Sequence, residues 1–278
     1  MKKIALVTGA SSGIGKSAVK ALESKGFVVY AAARRVEKMA DLASENVHLI
    51  SMDITNTVSI EKGVQNILGR YNRIDVLVNN AGYGLFGTVE DIPLSEARYQ
   101  FEVNFFGLTK LVQLVLPSMR KNKEGKIINI SSIGGKIYTP YGAYYHATKH
   151  ALEGYSDCLR YELKPFNINV VLIEPGIIQS EWSNIAKENM EKHSLSGSYS
   201  DGVAFYSKYL EKVYSKRSAS KPEIIGNLIA KVSVKKNPSP RYAAGKMAHL
   251  SLITRKFLPD NLFDYVLKKQ ISIISKLN

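Results

Sequence analysis

The chain has 278 residues, of which 45% are hydrophobic and 22% charged, and its formal net charge at pH 7 is +14. This composition excludes a disordered, collagen-like or coiled-coil protein, and the length allows one large domain or two small ones with a buried core. No apolar run approaches the roughly 18 residues that a membrane-spanning helix needs. Most of the positive charge lies at one end, because residues 207–278 hold 15 Lys and Arg but only 4 Asp and Glu.

The cysteine content and the first residues predict a cytoplasmic protein. Cys158 is the single cysteine of the sequence, so it cannot form an intrachain disulfide, and a reducing compartment is expected. Lys2 and Lys3 precede an apolar run that is shorter than the roughly 7 to 15 residues of a secretory signal. The cysteine and the five histidines have no ligand spacing, so we expect no metal site.

The first 175 residues alternate short apolar runs with longer amphipathic segments. This alternation is typical of parallel strands joined by crossover helices, and it predicts a doubly wound, Rossmann-type α/β sheet. No linker divides the chain, so we expect a single domain over residues 1–278. The predicted strands are Ile4–Val7, Phe27–Ala31, Val47–Ser51, Val76–Val78, Lys126–Ile130 and Ile168–Ile173. The predicted helices cover residues 14–24, 36–44, 57–70, 95–120 and 143–163.

The pattern changes at residues 177–220, which are polar but carry several aromatic side chains, including Trp182. An irregular insertion after the carboxyl end of a strand is where an open α/β sheet places a substrate lid. We therefore interpret this segment as a helical lid and Trp182 as a residue that contacts the substrate. The remaining predicted segments are a helix over 222–234, a short strand near Arg241–Ala244, a helical tail from Phe257 and a basic C-terminal extension over about 245–278.

A glycine-rich turn follows the first predicted strand directly: residues 8–15 read Thr-Gly-Ala-Ser-Ser-Gly-Ile-Gly. Glycines let the backbone turn sharply and let a pyrophosphate approach a helix N-terminus, where free N–H groups favour anions. An ordinary strand-to-helix turn is the alternative, but the position after the first strand favours a dinucleotide-binding loop. We expect cofactor contacts from Thr8, Gly9, Ser11, Ser12, Gly13, Ile14 and Gly15.

The end of the second predicted strand indicates which dinucleotide is bound. An acidic residue there would hydrogen-bond the ribose 2′-hydroxyl of NAD, but residues 31–35 read Ala-Ala-Ala-Arg-Arg. Guanidinium groups suit a 2′-phosphate because they bind it through paired hydrogen bonds. We therefore predict NADP(H), bound by Arg34 and Arg35. Two solvated arginines at the start of a helix are the alternative.

A Tyr and a Lys four residues apart lie on one helix face, where the ammonium can lower the tyrosine pKa from about 10. The chain has three such pairs: Tyr145/Lys149, Tyr242/Lys246 and Tyr265/Lys269. The spacing alone is weak evidence, because a chain with 16 Tyr and many Lys produces such pairs by chance. Only Tyr145 opens a helix that follows a buried strand, and that strand ends in Ser131-Ser132.

Several motifs occur together in one order and spacing, with Ser132 thirteen positions before Tyr145. They are TGxxxGIG at 8–15, Asp53 after the third strand, Asn79-Asn80-Ala81-Gly82 after the fourth, Asn104, Ser132, YxxxK at 145–149 and Pro175-Gly176. With these motifs the chain resembles the short-chain dehydrogenases/reductases over essentially its whole length. The combination is specific, whereas any single motif is not.

The resemblance implies a catalytic tetrad of Asn104, Ser132, Tyr145 and Lys149. Tyr145 would protonate the developing alkoxide in carbonyl reduction while the nicotinamide gives up a hydride. Ser132 would orient and polarise the same oxygen. Lys149 would lower the Tyr145 pKa and hold the nicotinamide ribose, and Asn104 would support a water relay to Lys149. An inactive family member is the alternative, which the four intact side chains argue against.

The resemblance also implies further contacts, among them one from Asp53 to the adenine. Cofactor contacts are expected as well from Ile54, Asn80, Ala81, Gly82, Tyr145, Lys149, Pro175, Gly176 and Ile178. Substrate contacts are expected from Ser132, Tyr145 and Gly176. The chain departs from the family at Ile177 and Ile178, where many members carry a Thr that holds the carboxamide. We expect backbone groups there, or Ser180, to replace it.

Three segments resemble the hydroxysteroid and retinol dehydrogenase branch of the family: residues 81–91, the tyrosines at 138, 141 and 144, and residues 258–263. This resemblance predicts a bulky apolar carbonyl or secondary alcohol as substrate, although apolar pockets are common at all small-molecule sites. Two other functions stay open. One is a 3-oxoacyl-thioester reductase of fatty-acid metabolism, and the other is a non-catalytic protein that senses NADP(H).

By the same resemblance we expect a homodimer formed by the helices that carry Asn104 and Tyr145. The basic last quarter is interpreted as a solvated surface. Weak association with an anionic membrane is the main alternative, because the tail has an amphipathic stripe beside Lys268 and Lys269. That stripe consists of Phe263, Val266, Leu267, Ile271 and Ile274. No nucleic-acid recognition module is present, so we expect no nucleic-acid partner.

Overall fold

A computed structural model describes residues 2–276. Its centre is a seven-stranded parallel sheet with the strand order β3-β2-β1-β4-β5-β6-β7. The strands are β1 (Ile4–Thr8), β2 (Val28–Ala33), β3 (Val47–Ser51), β4 (Val76–Asn79), β5 (Gly125–Ile130), β6 (Ile168–Pro175) and β7 (Arg241–Ala244). Each predicted strand is present, with bounds that differ by at most two residues.

Helices cover both faces of the sheet, as a doubly wound fold requires. They are α1 (Gly13–Glu23), α2 (Thr57–Tyr71), α3 (Leu94–Phe101), α4 (Gly107–Asn122), α5 (Ala143–Leu163), α6 (Trp182–Ser194), α7 (Ser200–Val213), α8 (Glu223–Val234), α9 (Ala248–Phe257) and α10 (Asp260–Lys276). Alternate residues of β1 face opposite layers: Ala5 and Val7 pack with α1 and α8, whereas Ile4 and Leu6 pack with α2, α4 and α5. The prediction of a doubly wound, single-domain α/β fold is confirmed.

Two predicted helices differ from the structure. The segment predicted as a helix over 36–44 is a 3₁₀ helix over Val36–Leu42, and the one over 95–120 is divided by a π-helical turn at Glu102–Phe106. Asn104 lies in this turn, where its side chain hydrogen-bonds both backbone groups of Tyr83. These bonds join residues 21 positions apart, so the hydrophobic period of the sequence does not reveal them.

The lid segment is helical, as predicted, although its composition is that of an irregular insertion. It forms α6 and α7, which pack on each other, and α10 packs on α7. α7 buries Val203, Tyr206 and Leu210, which lie on one helix face. The helical tail begins earlier than predicted, at Ala248, and is broken before Pro259, which cannot continue a helix.

The stripe of α10, on which the alternative of membrane association was based, lies mostly inside the protein. Phe263 and Ile271 are buried, and Leu267 and Ile274 pack against the apolar side chains that α6 and α7 bury. Only Val266 is exposed enough to meet another surface. No helix within residues 2–276 is both long enough and apolar enough to cross a membrane.

Candidate active site

A groove of about 750 Å³ lies at the carboxyl ends of β1 and β4. These strands are neighbours, but the chain leaves them toward opposite edges of the sheet, and ligands bind open α/β sheets at this kind of switch point. The groove extends from Arg34 and Arg35 to Tyr145 and the lid. Of the predicted cofactor residues, those that line it are Thr8, Gly9, Ser11, Ser12, Gly13, Ile14, Arg34, Arg35, Asp53, Ile54, Asn80, Ala81, Gly82, Tyr145, Lys149, Pro175, Gly176 and Ile178. Gly15 is predicted too but is not part of the lining.

The glycine-rich loop needs its glycines for conformation and for close approach. Gly9 and Gly13 have φ angles of +64° and +50°, a region that other residues rarely adopt. A Cβ on Gly15 would lie 2.2 Å from the carbonyl oxygen of Gly9, so this glycine lets α1 start directly against the loop. Gly15 therefore determines the shape of the loop without lining the groove itself.

Thr8 and Asn80 hold the loop against the end of β4. The Thr8 hydroxyl accepts hydrogen bonds from the backbone N–H groups of Asn80 and Ala81, at 3.0 and 3.1 Å. The Asn80 side-chain amide donates to the carbonyl oxygens of Thr8 and Gly9, at 3.0 and 3.2 Å. Both residues line the groove, and their hydrogen bonds fix its floor.

The start of α1 fits the pyrophosphate of a dinucleotide. Ser12 precedes the helix, and within residues 2–276 its hydroxyl makes no capping hydrogen bond. The first N–H groups of α1, beginning at Gly13, therefore face the groove without a side-chain acceptor, beside glycines that leave room for a ligand. Free N–H groups at a helix N-terminus bind phosphate well.

Arg34 and Arg35 lie at one end of the groove, each with a partner. Arg34 Nη1 donates to the Tyr99 hydroxyl at 3.3 Å, and Arg35 Nη2 lies 3.2 Å from Glu181 Oε2. Lys38 lies close by, with its Nζ 4.0 Å from Glu181 Oε1. Arg34, Arg35 and the nearby Lys38 therefore make this end of the groove positively charged, and the Glu181 carboxylate faces two of these cations.

Asp53 also lines this end of the groove, as expected of a residue near an adenine. Its Oδ1 accepts hydrogen bonds from the backbone N–H and the hydroxyl of Thr55, at 2.9 and 2.8 Å. Its own N–H donates to Ser59 Oγ at 3.0 Å. These bonds hold the turn between β3 and α2.

Tyr145, Ser132 and Lys149 meet at the other end of the groove. Ser132 follows β5; its hydroxyl lies beside the Tyr145 phenol, whose pKa it lowers, and accepts a hydrogen bond from the N–H of Gly134 at 3.0 Å. Lys149 is one turn further along α5, and its Nζ donates to the carbonyl oxygen of Ile130 at 2.8 Å. The parallel sheet and the N-terminal turns of α5 thus bring the three side chains together.

Burial shifts the pKa values of Tyr145 and Lys149 in opposite directions. It raises the pKa of the Tyr145 phenol to about 12, against the lowering effect of the Ser132 hydrogen bond. It lowers the pKa of the Lys149 ammonium to about 8, and the nearby Glu153 carboxylate acts against that shift. The expected lowering of the Tyr145 pKa by Lys149 is not found in the protein alone, because the ammonium is directed at Ile130.

Asn104 lies behind the groove and is not part of its lining. Its Oδ1 accepts from the N–H of Tyr83 at 3.0 Å, and its Nδ2 donates to the carbonyl oxygen of Tyr83 at 2.9 Å and to Thr148 Oγ1 at 3.2 Å. A Cβ on Gly82 would lie 3.1 Å from Asn104 Oδ1 and 4.0 Å from Lys149 Nζ. Because Gly82 has no side chain, the space between Asn104 and Lys149 stays open.

The segment after β6 partly explains how the chain replaces the missing Thr. The N–H of Ile177 donates to the carbonyl oxygen of Lys246, and its carbonyl accepts from Ser220, so these groups are engaged. Ile178 lines the groove, and its side chain is part of the core. Ser180 also lines the groove.

The other two Tyr–Lys pairs lie away from the groove. Tyr242 is in β7, and its hydroxyl accepts from the N–H of Ser239 at 2.8 Å. Tyr265 is exposed on α10, with the Lys269 ammonium 4.9 Å from its ring. Of the three pairs, the one at Tyr145 lines the groove.

The lid places an aromatic wall beside Tyr145. The Trp182 ring lies 5.0 Å from the Tyr145 ring, 5.6 Å from Phe86 and 5.6 Å from Tyr214, measured between centroids. A Cβ on Gly84 would lie 2.6 Å from the Trp182 ring, so this glycine makes room for the indole. Sequence reasoning singled out Trp182 but missed other lining residues, among them Tyr83, Glu96, Tyr99, Glu181, Ile185, Asn189 and Tyr214. No local motif marks them, because Glu181, Ile185, Asn189 and Tyr214 reach the groove from the lid, whereas Tyr83, Glu96 and Tyr99 reach it from the loop after β4 and from α3.

The groove, the glycine-rich loop and the buried tyrosine define an oxidoreductase of the Rossmann type. A family model described as short chain dehydrogenase matches residues 3–191. The chain belongs to the short-chain dehydrogenase/reductase family, and the resemblance seen in its motifs is confirmed.

Two curated relatives match almost the whole chain. A probable short-chain type dehydrogenase/reductase of Helicobacter pylori, VdlC, is 38% identical over 263 residues, covering 94% of this chain and 95% of the relative. The 3-ketodihydrosphingosine reductase of Bacteroides thetaiotaomicron is 38% identical over 273 residues, covering 96% and 97%.

Two solved structures are similar in fold. A short-chain dehydrogenase from Streptomyces avermitilis has a TM-score of 0.82 and 30% identity, covering 100% of this chain and 99% of that one. A serine dehydrogenase complexed with NADP+ has a TM-score of 0.76 and 28% identity, covering 88% and 95%.

Proposed function

We propose that the chain is an NADP(H)-dependent reductase of a bulky apolar carbonyl compound, working also in reverse on the secondary alcohol. The observation that carries the proposal is one continuous groove, with Arg34 and Arg35 at one end and the Tyr145 phenol with its Ser132 partner at the other. A groove that connects these two groups of residues suits a ligand with a phosphorylated adenosine at one end and a reacting centre at the other.

Tyr145 is the general acid in the direction of reduction. NADPH, when bound, supplies the hydride. The raised pKa of Tyr145 keeps its proton in place at neutral pH until negative charge develops on the substrate oxygen. Ser132 donates a hydrogen bond to that oxygen, and Lys149 supplies positive charge at the base of the site. In the reverse direction Tyr145 takes the proton from the alcohol.

The cofactor preference rests on charge at the end of β2. Arg34 and Arg35 occupy the place where a carboxylate would select the free ribose of NAD, and Lys38 adds a third cation. The serine dehydrogenase that resembles this chain was crystallised with NADP+, which supports the same choice.

The substrate class rests on the aromatic wall beside Tyr145. Trp182, Ile185 and Tyr214 present apolar surface there, and Asn189 contributes an amide. Few polar groups in an apolar pocket favour a bulky apolar substrate with limited polar substitution. The relative from Bacteroides thetaiotaomicron is named as a reductase of a ketone, which supports a ketone as the reacting group.

The test is oxidation of NADPH and, separately, NADH by the purified protein. The substrates are steroid ketones, retinal, aromatic ketones, long-chain ketones and a 3-oxoacyl thioester. We expect turnover with NADPH on an apolar ketone, and a loss of at least about a hundredfold in Tyr145→Phe, because the proton donor is removed. Tyr265→Phe, from a Tyr–Lys pair outside the groove, is the matched control and should keep full activity.

Three outcomes would contradict parts of this proposal. Turnover on the thioester alone would favour the fatty-acid reductase. NADPH binding with no turnover on any substrate would favour a sensor. A preference for NADH would contradict the assignment of Arg34 and Arg35.

We also propose a homodimer that pairs α4 and α5 with their copies. Phe106 precedes α4, and Tyr161 lies near the end of α5; both side chains are at least half exposed, which is consistent with a covered surface in an assembly. The cytoplasm is the compartment we propose, on the strength of the lone Cys158.

A further inference from the structure

One carboxylate connects the cationic end of the groove with the lid. Glu181 immediately precedes α6, with its Oε2 3.2 Å from Arg35 Nη2 and its Oε1 4.0 Å from Lys38 Nζ. All three side chains are about half exposed, so this ion pair is weak and a stronger anion can replace it.

The residues on both sides of Glu181 are closely packed. The Cβ of Ser180 lies 3.1 Å from the point where a Cβ would stand on Gly13, at the start of α1. Trp182 fills the space left by Gly84 and lies on the Tyr145 ring. Glu181 therefore lies between two packed neighbours, one against the start of α1 and one against the catalytic tyrosine.

We propose that Glu181 is a latch between the cofactor site and the substrate lid. It is a positioning residue that holds Arg35 and Lys38 until a 2′-phosphate takes its place. The displaced carboxylate moves the start of α6, and Trp182 moves off Tyr145 and opens the substrate pocket. The inference rests on the proposed NADP(H) preference and adds a residue that couples this preference to substrate access.

Charge explains why the phosphate and the carboxylate compete. A phosphate monoester carries close to two negative charges and binds a guanidinium through paired, charge-assisted hydrogen bonds, so it is the stronger ligand for Arg35. The Glu181 carboxylate, left at the same distance, would be repelled by it. NAD has a hydroxyl at this position, so it leaves the latch closed.

Trp182 is the only tryptophan in the sequence, so its fluorescence reports on the lid alone. The probes are adenosine 2′,5′-bisphosphate and adenosine 5′-monophosphate. They differ only in the 2′-phosphate, and neither carries a nicotinamide that could reach Trp182. We would measure the Kd of each probe and the accessibility of Trp182 to acrylamide, with and without the probe.

Three proteins are compared: the native chain, Glu181→Gln, and Glu188→Gln as the matched control. Glu188 is an exposed carboxylate on the same helix. We expect the bisphosphate, but not the monophosphate, to increase acrylamide quenching in the native chain and in the control. In Glu181→Gln, Trp182 should be accessible from the start, and the bisphosphate should bind about three- to tenfold more tightly, because the competing charge is gone.

The latch is wrong if both probes change Trp182 equally, or if Glu181→Gln alters neither quenching nor bisphosphate affinity. Its failure can be told apart from failure of the cofactor assignment. If the native chain binds the bisphosphate more tightly than the monophosphate, the NADP(H) preference stands whatever Trp182 does. If the native chain does not bind the bisphosphate more tightly, both the NADP(H) preference and the latch proposal are wrong.

Discussion

Tyr145 and Lys149 lie one turn apart in α5, and the same burial keeps the phenol protonated and weakens the hold of the lysine on its proton. A protonated phenol is what a general acid needs for reduction at neutral pH. As the pH rises, the Lys149 ammonium loses its proton before the Tyr145 phenol does, because its pKa is about 8 and that of the phenol is about 12. The charge of Lys149 therefore sets the alkaline limit of the site.

We predict that kcat/KM for carbonyl reduction falls as the pH rises through about 8. Below this pH Lys149 carries its charge, and above it the charge is lost while Tyr145 is still protonated. A pH profile from 6 to 10 measures the effect. Lys149→Arg should shift the decline to higher pH, because a guanidinium keeps its proton. A rate that stays flat to pH 10 would contradict this role of Lys149.

His146 follows Tyr145 and fixes the loop between Ser132 and α5. Its Nε2 accepts from the N–H of Thr139 at 3.0 Å, and its Nδ1 lies 2.9 Å from the carbonyl oxygen of Gly134. An acceptor at Nε2 and a carbonyl at Nδ1 require the neutral ring with its proton on Nδ1. Burial lowers the His146 pKa to about 4. His146 is therefore a neutral clamp on the loop that carries Ser132.

We predict that this clamp makes the fold acid-sensitive. The His146 pKa is lower in the folded chain than in the unfolded one, so the unfolded chain binds more protons and unfolding is favoured as the pH falls from about 6.5 to 4. The cost over that interval is roughly 3 kcal/mol. Denaturant unfolding at several pH values measures it.

The variant His146→Gln should show a smaller loss of stability over the same interval, although it starts from lower stability at pH 7. His249→Gln, at an exposed position on α9, should behave like the native chain. Equal pH dependence of all three proteins would show that His146 is not the sensitive group.

At the scale of elements, α1 and α8 form the tightest helix pair on their face of the sheet. Gly226 of α8 lies directly against Ser17 of α1: a Cβ there would be 2.2 Å from Ser17 Oγ and 2.7 Å from its backbone carbon. The site depends on this contact, because α1 begins with the phosphate-binding loop. Sequence periodicity placed both helices correctly but could not show how closely they approach.

We predict that Gly226→Ala destabilises the protein by about 2 kcal/mol, because overpacking forces α8 away from α1. Gly154→Ala is the matched control: Gly154 is an exposed glycine inside α5 with open space around it. This control should be neutral or slightly stabilising, since Ala favours helix more than Gly does. Thermal unfolding of the two variants compares them, and an equal effect would contradict the close approach.

At the scale of the whole molecule, the basic last quarter exposes apolar side chains that differ from those predicted. Leu250, Ile253 and Phe257 are each more than half exposed and lie on one face of α9, beside Lys256. A second copy would bring like charges together, whereas an anionic lipid surface suits both the apolar and the basic groups.

We predict that the protein sediments with anionic vesicles at low salt and is released as salt is added, since screening weakens the contribution of the Lys and Arg residues. The variant Ile253→Ser with Phe257→Ser should reduce the bound fraction severalfold. Val89→Ser, at an exposed apolar position outside α9 and α10, should not. No sedimentation at low salt would leave the solvated surface as the correct interpretation.

The sequence by itself determined the order of strands and helices, the glycine-rich turn and the pair of arginines after β2. These features depend on local periodicity and turn chemistry, which neighbouring residues carry. It also identified Tyr145, but only because Ser132 and the family motifs stood beside it.

Only the tertiary structure decided which further residues reach the groove and what they contact. Glu181 contacts Arg35, which lies 146 positions away in the sequence. Asn104 hydrogen-bonds Tyr83 from within a π-helical turn that no sequence pattern predicted. Packing also decided that the apolar stripe of α10 is buried and that the apolar face of α9 is exposed. Such contacts join residues far apart in the chain, so they depend on how whole elements pack, which local sequence does not encode.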